Sequence, residues 1–179
     1  MVYVFLADGF EEIEALTPVD ILRRGGVKVI TVGVGKKNIM GSHKIPVTAD
    51  ITTSEITYDG VEGIVLPGGL NGTMNLEQSD TVINAVKYCY ENNILIGAIC
   101  AAPSILGHLG ILNGKKATSY PSFQKELIGA KLDTDYVSQD GKIVTARGMG
   151  VSTDFALKLL EVLKDEQTAS EVKESVQCR

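Results

Sequence analysis

Cysteine and histidine are scarce in this 179-residue chain, and their scarcity removes several function classes at once. Cys89, Cys100 and Cys178 are an odd number with no C-x-x-C pair, so no disulfide framework is implied. The two histidines, His43 and His108, assemble no zinc-ligand spacing, and the sequence predicts neither a metal nor a cofactor. Basic residues form no cluster and the net charge is −5, which argues against nucleic acid or an anionic membrane as the main partner. The longest apolar run is about half of a membrane span. The segment after Met1 runs through Val-Tyr-Val-Phe-Leu into Asp8, Glu11, Glu12 and Glu14, without the basic region of a signal peptide. Together these absences predict a soluble protein of a reducing, cytoplasmic compartment. No repeat or linker interrupts the chain, and its length suits one domain over residues 1–179, burying on the order of 70% of its unfolded surface without staples.

What the chain does have is the stretch Ile94-Leu-Ile-Gly-Ala-Ile-Cys-Ala-Ala-Pro103. Ile94 to Ile99 carry no charge and no proline, which reads as a strand buried on both faces, as in the middle of a parallel sheet. After Cys100 the spacing becomes helical from Pro103 onward, so the cysteine sits at a strand-to-helix turn, the geometry of a nucleophile elbow. Such a turn tolerates only small neighbours, which Gly97, Ala98, Ala101 and Ala102 are. A helix N-terminus aimed at the sulfur favours thiolate, and cysteines so placed have pKa values lowered from about 8.5 into roughly the 3.5 to 7.5 range. The competing reading is a buried core cysteine, which more often sits inside a strand than one residue past its end.

Strands and helices alternate on either side of this elbow. Val2 to Leu6 reads as a strand, followed by the turn Ala7-Asp-Gly-Phe10 and a helix ended by Gly25-Gly26. That helix starts either with the acidic turn at Glu11, Glu12 and Glu14 or at the capping box Thr17-Pro-Val-Asp20, and a single helix kinked at Pro18 is expected. Val27 to Val34 is the next strand, and Lys36 to Met40 with Ile45 to Val47 read as a small hairpin. Gly63 to Gly69 is a buried strand ending in Pro-Gly-Gly, where backbone N–H groups of the glycine turn can face a ligand, though a plain tight turn would look the same. No lysine follows in a phosphate-loop position. Ser79 to Asn92 is amphipathic and puts Cys89 on a packed helix face. Ala117 to Ser119 reads as a brief strand and Pro121 to about Ile128 as a helix. Asp140-Gly141 suits a hairpin turn between Tyr136–Gln139 and Ile143–Ala146. Ser152 or Thr153 is expected to cap a helix running to about Lys164, and 165–179 reads as charged and weakly helical. The pattern predicts a doubly wound α/β fold, mostly parallel, with helices on both faces.

Four motifs at matching spacing and in order, Asp8-Gly-Phe-Glu-Glu-Ile-Glu-Ala15, Leu66-Pro-Gly-Gly69, Ala98-Ile-Cys-Ala-Ala-Pro103 and Arg147-Gly-Met-Gly150, make the chain resemble the ThiJ/PfpI family. The resemblance covers nearly the whole chain and lies in the branch of the Parkinson-associated redox protein and its bacterial relatives. It implies a flavodoxin-like fold of the class I glutamine amidotransferase type and a homodimer. It also implies that Cys100 is the reactive cysteine, Glu14 the carboxyl that hydrogen-bonds it, and the N–H groups of Gly69 and Ala101 an oxyanion site. On residues alone, Glu14 cannot be chosen over Glu11 or Glu12, since acidic residues in a first helical turn also serve the macrodipole. Its stripe with Pro18, Ile21 and Gly25 holds no other charge, which turns Glu14 inward.

The departures narrow the function. Where the peptidase and amidotransferase-like members place a histidine directly after the cysteine, this chain has Ala101. Tyr120, before Pro121, stands where the Parkinson-associated relative has another histidine, and reads equally as a substrate contact or a packed aromatic. His108 lies roughly 12 Å along the elbow helix from Cys100, too far to be its base. Arg24 and Arg147 read as surface or interface ion pairs. Two functions use the same residues. One is a cofactor-independent enzyme acting on reactive carbonyls, glyoxalase-like or deglycase-like, with methylglyoxal-type substrates or glycated side chains. The other is a redox sensor or chaperone-like stress protein in which Cys100 is oxidised. A cysteine peptidase or amidase ranks last, for want of a base.

Overall fold

In the computed structural model, which describes residues 1–178, the alternating pattern becomes a flavodoxin-like α/β fold. Its elements run in chain order from β1 (Val2–Leu6) through α1 (Glu12–Arg24) and β2 (Val29–Gly33) to a small antiparallel hairpin of β3 (Asn38–Met40) and β4 (Pro46–Thr48). β5 (Ile51–Thr52), β6 (Gly63–Leu66), α2 (Leu70–Glu77), α3 (Asp80–Glu91), β7 (Leu95–Ile99) and α4 (Pro103–His108) follow. The chain continues with β8 (Lys116–Ala117), β9 (Lys131–Leu132), β10 (Val137–Asp140), β11 (Ile143–Ala146), α5 (Ser152–Leu163) and α6 (Glu166–Ser175). The main sheet has the order β10-β11-β7-β6-β1-β2-β5, parallel except for the edge pair β10–β11.

Strand alternation divides the core into two layers. Val2, Val4 and Leu6 of β1 pack with Ala15 and Leu22 of α1 and with Phe155, Leu159 and Leu160 of α5. Tyr3 and Phe5 point the other way, to Val82, Val86 and Cys89 of α3 and Ile105 and Leu106 of α4. Each fully buried side chain of this size contributes about 1.5 to 3 kcal/mol, and burial on both faces is why β1, β6 and β7 are apolar without alternation. From β1 the chain crosses to β2 on one side, and from β6 to β7 on the other. The direction of winding reverses between β1 and β6, which opens a crevice at their carboxyl ends.

α1 starts at Glu12 with Glu11 as its cap, so the acidic turn opens one helix, and Pro18 falls inside it, where it lacks the N–H that would bond the carbonyl of Glu14. Other local expectations are corrected. α2 was not anticipated. Its first turn closes by Thr73 N–H to the Gly69 carbonyl at 2.8 Å, and Gly72 lies so close to the Phe10 backbone that no side chain fits between them. Pro121–Glu126 is a 3-10 helix, not an α-helix. Ser152 is the first residue of α5 rather than its cap, and its buried hydroxyl has no partner among the described residues. The segment after Asp165 is a formed helix, because the Asp165 carboxylate accepts the Thr168 N–H at 2.7 Å. The last residue of that expectation, Arg179, lies outside the described residues. No helix among the described residues is long and apolar enough to cross a membrane.

Candidate active site

Cys100 follows β7 directly and adopts φ of +65°, in the left-handed region that side chains rarely occupy. Such a conformation costs on the order of 1 to 3 kcal/mol and persists only where its surroundings hold it. They do so here through the Cys100 N–H, which donates to the Ala146 carbonyl on β11 at 2.9 Å, and the Cys100 carbonyl, which accepts the Tyr120 N–H at 2.9 Å. The turn lifts the side chain off the end of β7 towards β6 and α1.

Three groups meet the sulfur. The backbone N–H groups of Gly69 and Ala101 donate to it, and the Glu14 carboxyl hydrogen-bonds with it. Glu14 reaches this point from the first turn of α1, which β1 delivers to the crevice, and only 1% of it is exposed. Its Oε2 accepts the Gly68 N–H at 2.9 Å and its carboxyl also accepts from the Met149 N–H, while its own N–H donates to Glu11 Oε2 at 2.7 Å. Gly68 has to be glycine. A Cβ there would stand 2.5 Å from Glu14 Oε2 and 2.6 Å from the Cys100 Cβ. Gly69 follows at φ of +86°, the conformation that turns its N–H back to the sulfur.

The electrostatics correct one sequence expectation. Burial first, then the adjacent Glu14 carboxyl, pushes the Cys100 thiol up to about 12, against the pull of the Gly69 and Ala101 N–H groups. The expected lowering by a helix N-terminus does not prevail, because the helix behind Cys100 has only six residues and the sulfur shares its enclosure with an acid. Burial likewise raises Glu14 to about 7, helped by the charge of Glu11 and opposed by hydrogen bonds from Cys100, Gly68 and Met149. Part of the rise at Cys100 belongs to the ionised state of Glu14, so the two groups titrate as a coupled pair.

Tyr120 stands at the rim with half of its surface exposed. Gly148 lies between its ring and Glu14, since a Cβ on Gly148 would be 3.6 Å from Tyr120 Cδ2 and 3.8 Å from Glu14 Oε1. The fold therefore brings Glu14, Gly69, Cys100 and Ala101 into mutual contact and leaves Tyr120 at the edge. Sequence reasoning missed the Gly68 and Met149 N–H donors, although the Pro-Gly-Gly and Gly-Met-Gly turns were the available signals. His108 is engaged elsewhere, between Glu77 at 2.5 Å and Glu126 at 3.3 Å. Arg24 pairs with Asp20 at 2.7 Å, as a surface ion pair should. Arg147 donates to the Thr134 carbonyl at 2.9 Å and lies 5.0 Å from the centre of the Tyr136 ring, a cation–π contact within the chain.

Residues 1–162 match the model of the DJ-1/PfpI family. The chain belongs to that family. It is 36% identical to Protein dj-1beta of Drosophila melanogaster over 172 residues, covering 94% of this chain and 92% of that protein. It is 35% identical to the Parkinson disease protein 7 homolog of Danio rerio over 175 residues, covering 95% and 93%. Among solved structures, Toxoplasma gondii DJ-1 in an oxidised form superposes with a TM-score of 0.94 at 32% identity, covering 98% of this chain and 97% of that one.

Proposed function

We propose that this DJ-1/PfpI protein is a cysteine-dependent, cofactor-independent enzyme acting on reactive carbonyls, either methylglyoxal-type 2-oxoaldehydes or the glycated side chains they form. The observation that carries the reading is the convergence of one acid and two N–H donors on a single strained cysteine. As the Cys100 sulfur attacks the aldehyde carbon, the ionised Glu14 takes the thiol proton and passes it to the carbonyl oxygen, giving a hemithioacetal. Glu14 then removes the C–H proton next to sulfur and returns a proton to the adjacent carbon, leaving a thioester of the 2-hydroxy acid. Water hydrolyses the thioester and restores the thiol, so the sum is methylglyoxal plus water to lactate. The Gly69 and Ala101 N–H groups hold the developing negative charge, and the Tyr120 hydroxyl meets the substrate from the rim. A carboxyl near 7 suits both halves of this transfer, because it donates and accepts at comparable cost. Lactate formation by the purified protein tests the reading. Wild type should turn methylglyoxal over and Cys100→Ala should not, and an inactive wild type would overturn it.

A second reading is favoured by the same N–H groups, which are aimed at the sulfur in the resting site and would equally hold the oxygens of an oxidised cysteine. A fold neighbour was solved in an oxidised form. Under this reading Cys100 is a redox sensor. We also propose a homodimer. The exposed Ile13 and Leu16 on α1 and the exposed Met149, next to the site, support it as apolar surface that a second copy would cover. Sedimentation at micromolar concentration should give the dimer mass.

A further inference from the structure

The sequence offers no metal-ligand spacing, yet the fold carries His43 across 31 residues to the start of α1. There Glu11, Glu12 and His43 present one ligand atom each, all within 4.8 Å of one another. His43 Nδ1 is 3.0 Å from Glu12 Oε2 and 4.0 Å from Glu11 Oε1. Separations of this size match ligands about 2.0 to 2.2 Å from a shared ion.

The carboxylate at the centre of this group is built in. Only 3% of the Glu12 side chain is exposed, and it lies against Gly41 so tightly that a Cβ on Gly41 would overlap Oε1. The His43 N–H donates to Oε1 at 2.7 Å and the Ser42 hydroxyl to Oε2 at 3.2 Å, which fixes the carboxylate plane and turns Oε2 to the imidazole. Two carboxylates face at most one positive charge on His43, and the His43 side chain is 71% exposed, which leaves the open side to solvent.

We propose that Glu11, Glu12 and His43 form a site for a borderline divalent transition-metal ion of the Zn²⁺ class, which would tie the β3–β4 hairpin turn to the first turn of α1. One imidazole with two carboxylates suits such an ion better than Mg²⁺ or Ca²⁺, which take oxygen ligands, or Cu⁺, which takes sulfur. On binding, the ion takes the lone pair of His43 Nδ1, any proton on that nitrogen leaves to solvent, and water completes the coordination.

Calorimetric titration with Zn²⁺ and the visible spectrum with Co²⁺ test the site on the full chain, in a Cys100→Ala, Cys178→Ala background that removes the two partly exposed thiols. One equivalent should bind, without a sulfur-to-cobalt charge-transfer band. His43→Ala, an exposed change that leaves the core intact, should weaken binding by at least about tenfold, and Glu12→Gln should do the same. Equal affinity in the parent and His43→Ala proteins, or no binding by the parent, would overturn the proposal.

Discussion

Cys89 and Cys100 are both enclosed thiols pushed up to about 12, and they differ in everything else. At Cys89, on the packed face of α3, burial is the whole cause, and among the described residues no acid or N–H donor faces the sulfur. At Cys100 burial is joined by Glu14, opposed by two N–H groups, and combined with a left-handed backbone. A shifted thiol is therefore no mark of a site by itself. The proton partner and the donors make the difference, since they let charge move onto the sulfur and off it within the enclosure.

The largest expected effect tests that contrast directly. Cys100→Ala should abolish carbonyl turnover, while Cys89→Ala should keep it and lose only packing, measured as lactate formation beside a thermal melt. Loss of turnover in both would erase the distinction. Next in size is Glu14→Gln. The amide cannot take and return a proton, so turnover should fall by about 10² to 10⁴.

The same carboxyl makes stability depend on pH. Its folded value lies above the ordinary 4.5, so the folded state binds more protons than the unfolded state between about 4.5 and about 7. The contribution of Glu14 to stability is full below 4.5 and is lost as the pH climbs through 7, a change on the order of 3 kcal/mol. Denaturant melts of wild type should show that decline, and those of Glu14→Gln should be flatter. Mild peroxide should place its first oxygens on Cys100 rather than Cys89, because the Gly69 and Ala101 donors stabilise an oxidised sulfur, and peptide mass spectrometry reads the order. The smallest effect belongs to His108, whose bridge between Glu77 and Glu126 is about one-third exposed. Both carboxylates raise its pKa, so its support is present below about 6.5 and fades as the pH rises, and His108→Gln should cost less than about 1 kcal/mol.

The elbow was legible in the sequence because a two-sided apolar strand running into Cys-Ala-Ala-Pro has to end there, with small residues leading into a helix start. The strands Val2–Leu6, Gly63–Leu66 and Leu95–Ile99 and the small hairpin were legible for a similar reason: their patterns repeat over several residues. What escaped depended on single contacts. The helix Leu70–Glu77 follows a glycine turn and carries Asn71-Gly72, and Gly72 is explained only by its approach to Phe10. Periodicity turned Glu14 inward without choosing it over its neighbours, since the choice lies in the Gly68 and Met149 N–H groups contributed by distant turns. The direction of the Cys100 shift was illegible for the same reason. A helix N-terminus is visible in sequence, whereas the enclosure of sulfur and acid together is not.

The pairing of Glu14 with Cys100 is most directly tested by the rate at which iodoacetamide alkylates Cys100, followed by mass spectrometry across about pH 5 to 9. Wild type should inflect near 7, where Glu14 titrates, and Glu14→Gln should lose that inflection. Superimposable profiles for the two proteins would contradict the account.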